Sequence, residues 1–329
     1  MLRRHHSFFR FAGALLACLA LCACHQQQQV VVLKMAHGLD TQHPVHQAMQ
    51  HMATRLGELS AGSMRIDIYP NAQLGGEREI LELLQIGSLA LTKVSSGPME
   101  SFVPSFKVFS IPYVFRDYAH LWRVLQGEVG RELLQAGDAV RLHGLGYYDA
   151  GSRSFYTTAA PVHSPADLAG LKIRVQNSIT SVEMVRALGG AATPIPWAEI
   201  YTALQQGVVD GAENNPPSYY LSKHYEVAPY FSLDEHAFVP DILLVSLPVW
   251  EGLSPQQRQW LQQAADDSVQ LQRQLWREST AHALAQLRAA GVTIIEPDKR
   301  AFRAAVAPMH ASFRGTATGA LLQRIAAVE

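Results

Sequence analysis

Apolar residues recur along this chain with two spacings, and the switching between them predicts the fold. Val30-Val-Val-Leu-Lys-Met-Ala36 is a β-rich run and reads as the first strand. Over residues 43–60 the spacing becomes helical, with Val45, Met49, Met52, Leu56 and Leu59 falling on one face. Met64-Arg-Ile-Asp-Ile-Tyr69 then alternates as a strand and stops at Pro70; residues 77–86 are helical again and stop near Gly87. A strand-helix-strand-helix order predicts an α/β layer on a largely parallel sheet.

Residues 102–115 are aromatic and contain Pro104 and Pro112, which predicts a buried irregular segment. A helix is expected over 118–136, then strands over 142–148 and 153–160. Ser164-Pro165 supplies an N-cap and an N1 proline. Lys172-Ile-Arg-Val175 alternates between turn signals and reads as a short strand presenting Arg174 on one face, with helices expected over 178–188 and 197–206. Behind the second helix, a turn at Asp210-Gly211 delivers Glu213, Asn214 and Asn215. Ser254-Pro255 opens a helix that meets no Gly or Pro before Gly291, so it runs for ~50 Å, longer than one lobe needs.

The 329 residues allow two domains with separate cores. A formal net charge of −1 gives no electrostatic case for nucleic acid. Arg3-Arg4 precede an apolar run over 11–23 that is too short to span a membrane and reads as a signal peptide. Its end, Leu21-Cys22-Ala23-Cys24, resembles a bacterial lipobox with lipid on Cys24, although Cys22 is unusual there and simple cleavage stays open. Gln26 to Gln29 would be a polar tether. All three cysteines lie in this leader, so the mature domain has no disulfide or thiol chemistry.

Six motifs stand in the order of a known family. They are Tyr69-Pro-Asn-Ala-Gln-Leu-Gly75, Ile111-Pro-Tyr113, Gly151-Ser-Arg153, Leu168-Ala-Gly-Leu-Lys-Ile-Arg174, Glu199-Ile-Tyr201 with Ala203-Leu-Gln205, and Val209-Asp-Gly-Ala-Glu-Asn214. From Leu33 to about Phe313 the chain resembles the extracytoplasmic solute-binding proteins of tripartite ATP-independent periplasmic (TRAP) transporters, of the C4-dicarboxylate-binding type. The resemblance implies an α/β, two-lobed periplasmic-binding-protein fold with hinge strands and a long lobe-spanning helix. The expected division is 1–23 leader, 24–29 tether, 30–150 plus about 240–279 as lobe I, and 151–239 plus about 280–329 as lobe II.

The resemblance also implies site residues. Arg174 would hold a ligand carboxylate through two parallel donors, with Arg153 as a second arginine. Asn214 and Asn177 would read neighbouring oxygens, and Trp197 would form an aromatic wall or belong to the hinge core. Glu77 matches a ligand contact in some relatives and equally suits a first-turn helix acid. His37 and His43 follow the first strand, where lobe I touches ligand. Ser95 replaces an acidic contact of some relatives, which counts against a ligand bearing an amine or many hydroxyls at that point. The grouping of His43, His46 and His51 lacks a nearby carboxylate and does not read as a metal site. No Gly-rich phosphate loop, nucleophile elbow or His-Glu-x-x-His appears, which does not exclude an enzyme but leaves no specific reaction to propose; the resemblance implies binding without catalysis or cofactor.

Ala36-His-Gly-Leu-Asp40, Ala212-Glu-Asn-Asn-Pro-Pro-Ser218 and Ser232-Leu-Asp-Glu-His236 resemble the relatives that bind hexuronates. They add Asn215, His37 and His236 as hydroxyl readers. The function implied is capture of a small organic acid, a hexuronate such as glucuronate or galacturonate, for delivery to TRAP permease subunits. A C4-dicarboxylate, another sugar acid, or a ligand-sensing lipoprotein without transport stay open.

Overall fold

The computed structural model describes residues 30–329; the leader, Cys24 and the tether lie outside the described residues. Two mixed sheets organise the chain. The first contains β1 (Val31–Ala36), β2 (Met64–Tyr69), β3 (Leu91–Ser95), β4 (Leu142–Tyr148) and β10 (Asp241–Ser246), in the order β2-β1-β3-β10-β4. The second contains β5 (Ser152–Thr157), β6 (Lys172–Val175), β7 (Ala191–Pro194), β8 (Gly211–Asn214), β9 (Tyr230–Phe238) and β11 (Thr293–Ile295), in the order β11-β9-β5-β8-β6-β7. Strand-helix alternation makes β2-β1-β3 parallel, as the sequence order predicts. The expected largely parallel sheet is nevertheless mixed, because β10 returns from the other lobe and inserts antiparallel between β3 and β4.

Helix ends follow local chemistry. The helix Pro44–Leu59 starts at His43, whose side chain accepts from the Val45 N–H. The single helix expected over 118–136 is instead two, Tyr118–Gln126 and Glu128–Ala136, broken at Gly127. Gly127 is extended (φ −83°, ψ −167°), and a Cβ there would lie 2.8 Å from the Arg123 carbonyl. The 102–115 segment holds a 3₁₀ turn, Pro104–Phe109, around the buried Phe106 and Phe109.

The chain crosses between sheets twice, from β4 to β5 through Asp149–Gly151 and from β9 to β10 through Val239-Pro240. The helix Pro255–Ala289 makes a third tie: Leu261, Ala264 and Trp276 pack in a core of the first lobe, and Leu287 packs in one of the second. Midway, the Gln272 amide grips the first crossing, accepting from the Asp149 N–H (2.7 Å) and donating to the Asp149 carbonyl (2.8 Å). The last helix, Ala317–Ala326, packs back on the first lobe, where Ile325 is buried and Arg324 pairs with Glu132 at 2.7 Å. Among the described residues no helix is long and apolar enough to cross a membrane.

Candidate functional site

A cleft of about 350 Å³ lies beside the crossings and takes its walls from both lobes. That volume sits at the small-molecule end of ligand sites. Arg174 comes from β6, between β8 and β7. Ile173 and Val175 enter the second lobe's core, so the two-residue period turns Arg174 to the opposite face. Arg174 is 3% exposed; its Nε donates to the Ile195 carbonyl at 2.8 Å, and buried Nη1 has no partner. Burial lowers its pKa to about 10, only partly offset by Glu213, so it stays a cation.

Arg153 lines the same cleft but is already engaged. It lies at a bulge where β5 shifts register against β9. Nε and Nη2 fork onto the Glu213 carboxylate, Nη2 also donates to the Glu213 carbonyl (2.7 Å), and Nη1 donates to Asn214 Oδ1 (3.0 Å). Burial opposes ionisation of Glu213, yet Arg153 and His236 outweigh it and hold the carboxyl down at about 2. His236 sits behind this pair, 2.8 Å from Asp234 and 3.6 Å from Glu213. Its imidazole is carried up to about 9, with Asp234 and then Glu213 overcoming burial. His236 is therefore not on the cleft wall, contrary to the expectation of a hydroxyl reader; its two acidic neighbours hold it in the interior.

The amides divide by neighbour. Asn214 accepts from Arg153 and from the Asn215 N–H (2.9 Å), which leaves its NH₂ for the cleft. Asn215 also lines the cleft, but its Oδ1 caps the helix Pro216–Leu221 by accepting from the Ser218 N–H at 2.9 Å. Asn177 stands exposed at the rim. Trp197 is half-buried, lines the cleft, and packs against cores of both lobes, so it is wall and core together.

Across the cleft, Glu77 opens the helix Glu77–Gln85 and accepts from the Ser95 N–H at 2.9 Å. His37 is the sequence expectation that fails here. It is fully buried, accepts from the Leu39 N–H (3.1 Å) and meets His46 at 2.9 Å, so both ring nitrogens are spent on holding a turn and it is absent from the lining. His43 does line the cleft and meets Ser218 of the other lobe at 3.2 Å. Sequence reasoning missed Lys93, Asp241, Gln176, Ser218 and Trp276. A lysine flanked by Leu89-Ala-Leu91 and Val94 was a signal for the first of these; for Asp241 only the antiparallel return of β10 supplies it.

The buried imidazoles give a pH expectation. Burial, then Lys93, lowers His37 to about 3, and burial, then Arg174, lowers His224 to about 3. The unfolded chain takes up these protons first, near 6.5, so stability declines as pH falls from about 6.5 towards 3. Melting temperatures between pH 7.5 and 4 check this: His37→Gln should flatten the decline, and an unchanged slope would remove His37 as a cause.

Two of the buried cations in the cleft are paired, Arg153 with Glu213 and Lys93 with Asp241 at 2.8 Å, while Arg174 has no carboxylate in contact among the described residues. A larger hollow of about 670 Å³ lies behind the crossings, but its Arg277 and Arg303 are exposed, where water screens charge. Among the described residues, only the front cleft combines a buried, underused guanidinium with amides.

Comparison with known proteins shows which family the chain resembles over most of its length. The family model described as bacterial extracellular solute-binding protein, family 7 (DctP) matches residues 35–316. A TRAP periplasmic solute-binding protein from Xanthobacter autotrophicus, solved with bound β-D-galacturonate, is 38% identical with a TM-score of 0.87, over 90% of this chain and 100% of that one. Another, from Chromohalobacter salexigens with bound D-glucuronate, is 36% identical with a TM-score of 0.88, over 90% and 100%. A solute-binding protein of Chromohalobacter salexigens is 39% identical over 272 residues, 82% of this chain and 81% of its own.

Proposed function

We propose that this chain, which belongs to bacterial extracellular solute-binding protein family 7, captures a hexuronate monoanion in its cleft for a TRAP permease. The carrying observation is Arg174, a buried cation with a free Nη1 and no carboxylate in contact among the described residues. One carboxylate satisfies it with charge-assisted bonds, strengthened by the water-poor surroundings. Arg153, held by Glu213, assists from the side. Asn214 reads adjacent oxygens, Asn177 and Asn215 flank them, and Trp197 offers a face to the ring. Structural relatives holding galacturonate and glucuronate support the hexuronate.

TRAP solute-binding proteins work with membrane permease subunits, and we assign that partnership here. Lobe I (30–150 with about 240–279, joined by the last helix, Ala317–Ala326, which the expected division had given to lobe II) and lobe II (151–239 with about 280–316) would close on the ligand by bending at Asp149–Gly151 and Val239-Pro240. Binding without turnover is the activity assigned. We place the protein outside the cytoplasm, held by lipid on Cys24. Mass spectrometry of membrane-fraction protein should find the lipid; an unmodified N-terminus beyond Cys24 would mean a free periplasmic form.

Competition calorimetry with glucuronate, galacturonate and succinate tests the ligand. Succinate leaves the amides unpaired, at about 1–3 kcal/mol each, and brings a second charge to a site with one underused cation, so a uronate preference of roughly a hundredfold or more is expected. Succinate or malate binding as tightly as either uronate would overturn the hexuronate and leave the family role intact.

A further inference from the structure

We propose that Lys93 and Asp241 read a vicinal diol at the end of the sugar acid remote from its carboxylate, and that with Glu77 they reject a second carboxylate there. This rests on the hexuronate reading and names a part of the cleft that the arginines do not serve. Both residues line the cleft and are 5% exposed. In the antiparallel register Lys93 faces Leu243 and Asp241 faces Ser95, so the two are diagonal neighbours on one face of the first sheet. Nζ lies 2.8 Å from Asp241 Oδ2 and 3.7 Å from Glu77 Oε1. Burial works against the ammonium, but Asp241 and Glu77 prevail and keep it charged.

A buried ion pair costs more in lost hydration than apolar packing of the same volume, so stability is a poor reason for this one. Its chemistry supplies a better one. The ammonium has three donors, and among the described residues it has one close partner, Asp241, with Glu77 farther off, so donor capacity is left for a ligand. The carboxylate keeps free lone pairs beside it. Each hydroxyl both donates and accepts, so an adjacent donor and acceptor suit two neighbouring hydroxyls. A carboxylate offers no proton to Asp241, and it would meet a trio of one cation and two anions that is already net negative.

Calorimetry with galacturonate and with galactarate, the diacid carrying a carboxylate at both ends, tests this. Wild-type protein should prefer galacturonate at least tenfold. Asp241→Asn removes one anion beside the second carboxylate, so that preference should shrink at least tenfold. The double variant Lys93→Met, Asp241→Asn leaves no orphaned partner charge of the pair, should melt close to wild type, and should lose at least tenfold in galacturonate affinity. It carries the test if the single variant does not fold. Wild-type protein that binds neither uronate would overturn the hexuronate reading itself. Wild-type binding with an unchanged Kd in the double variant, or an unchanged preference in Asp241→Asn, would overturn the diol reading alone.

Discussion

Arg174→Lys should weaken hexuronate binding by roughly 2–5 kcal/mol, the range for a hydrogen-bonded charge pair that loses its fork. The guanidinium spends Nε on the Ile195 carbonyl and keeps Nη1 unpartnered, so position and free donor come from one rigid plane. An ammonium cannot hold the carbonyl and present two parallel donors at once. The neighbouring strands bury Ile173 and Val175 irrespective of residue 174, so the fold should survive. Titration calorimetry beside a thermal melt separates the two effects. Unchanged affinity would move the carboxylate site elsewhere.

Glu213→Ala should cost about 3–5 kcal/mol of folding stability, because it strands Arg153 as a buried cation without its partner. Arg153 makes three of its contacts to Glu213, and His236 is held between Glu213 and Asp234. Glu213→Gln keeps an acceptor and should cost less. Denaturant unfolding of the three proteins measures this; a loss under 1 kcal/mol in the alanine variant would mean that water reaches Arg153.

Much of this protein was legible in its residues. The helix expected from Ser254-Pro255 to the edge of Gly291 is present as Pro255–Ala289, because a capping box starts it and nothing within it breaks the hydrogen-bond ladder. The strand carrying Arg174 was equally plain, since two-residue alternation leaves an arginine between buried Ile173 and Val175 nowhere else to point. Gly127 misled in the other direction: apolar spacing runs through it, and only the tertiary structure shows an extended break there, with no room for a Cβ beside the Arg123 carbonyl.

Local pattern determined the strands, the helices and the residues able to hold an acid, because periodicity, capping and side-chain chemistry act within a few neighbours. Tertiary structure decided which of those residues share the cleft. It withdrew His37 to a turn and His236 to an ion-pair network, and gave Asn215's carbonyl to a helix cap. It also paired Arg153 with Glu213 and brought Lys93 to Asp241 across residues far apart in the chain. Those outcomes depend on burial and on the antiparallel return of β10. Desolvation and partner charges act through space, and no spacing along the chain encodes them.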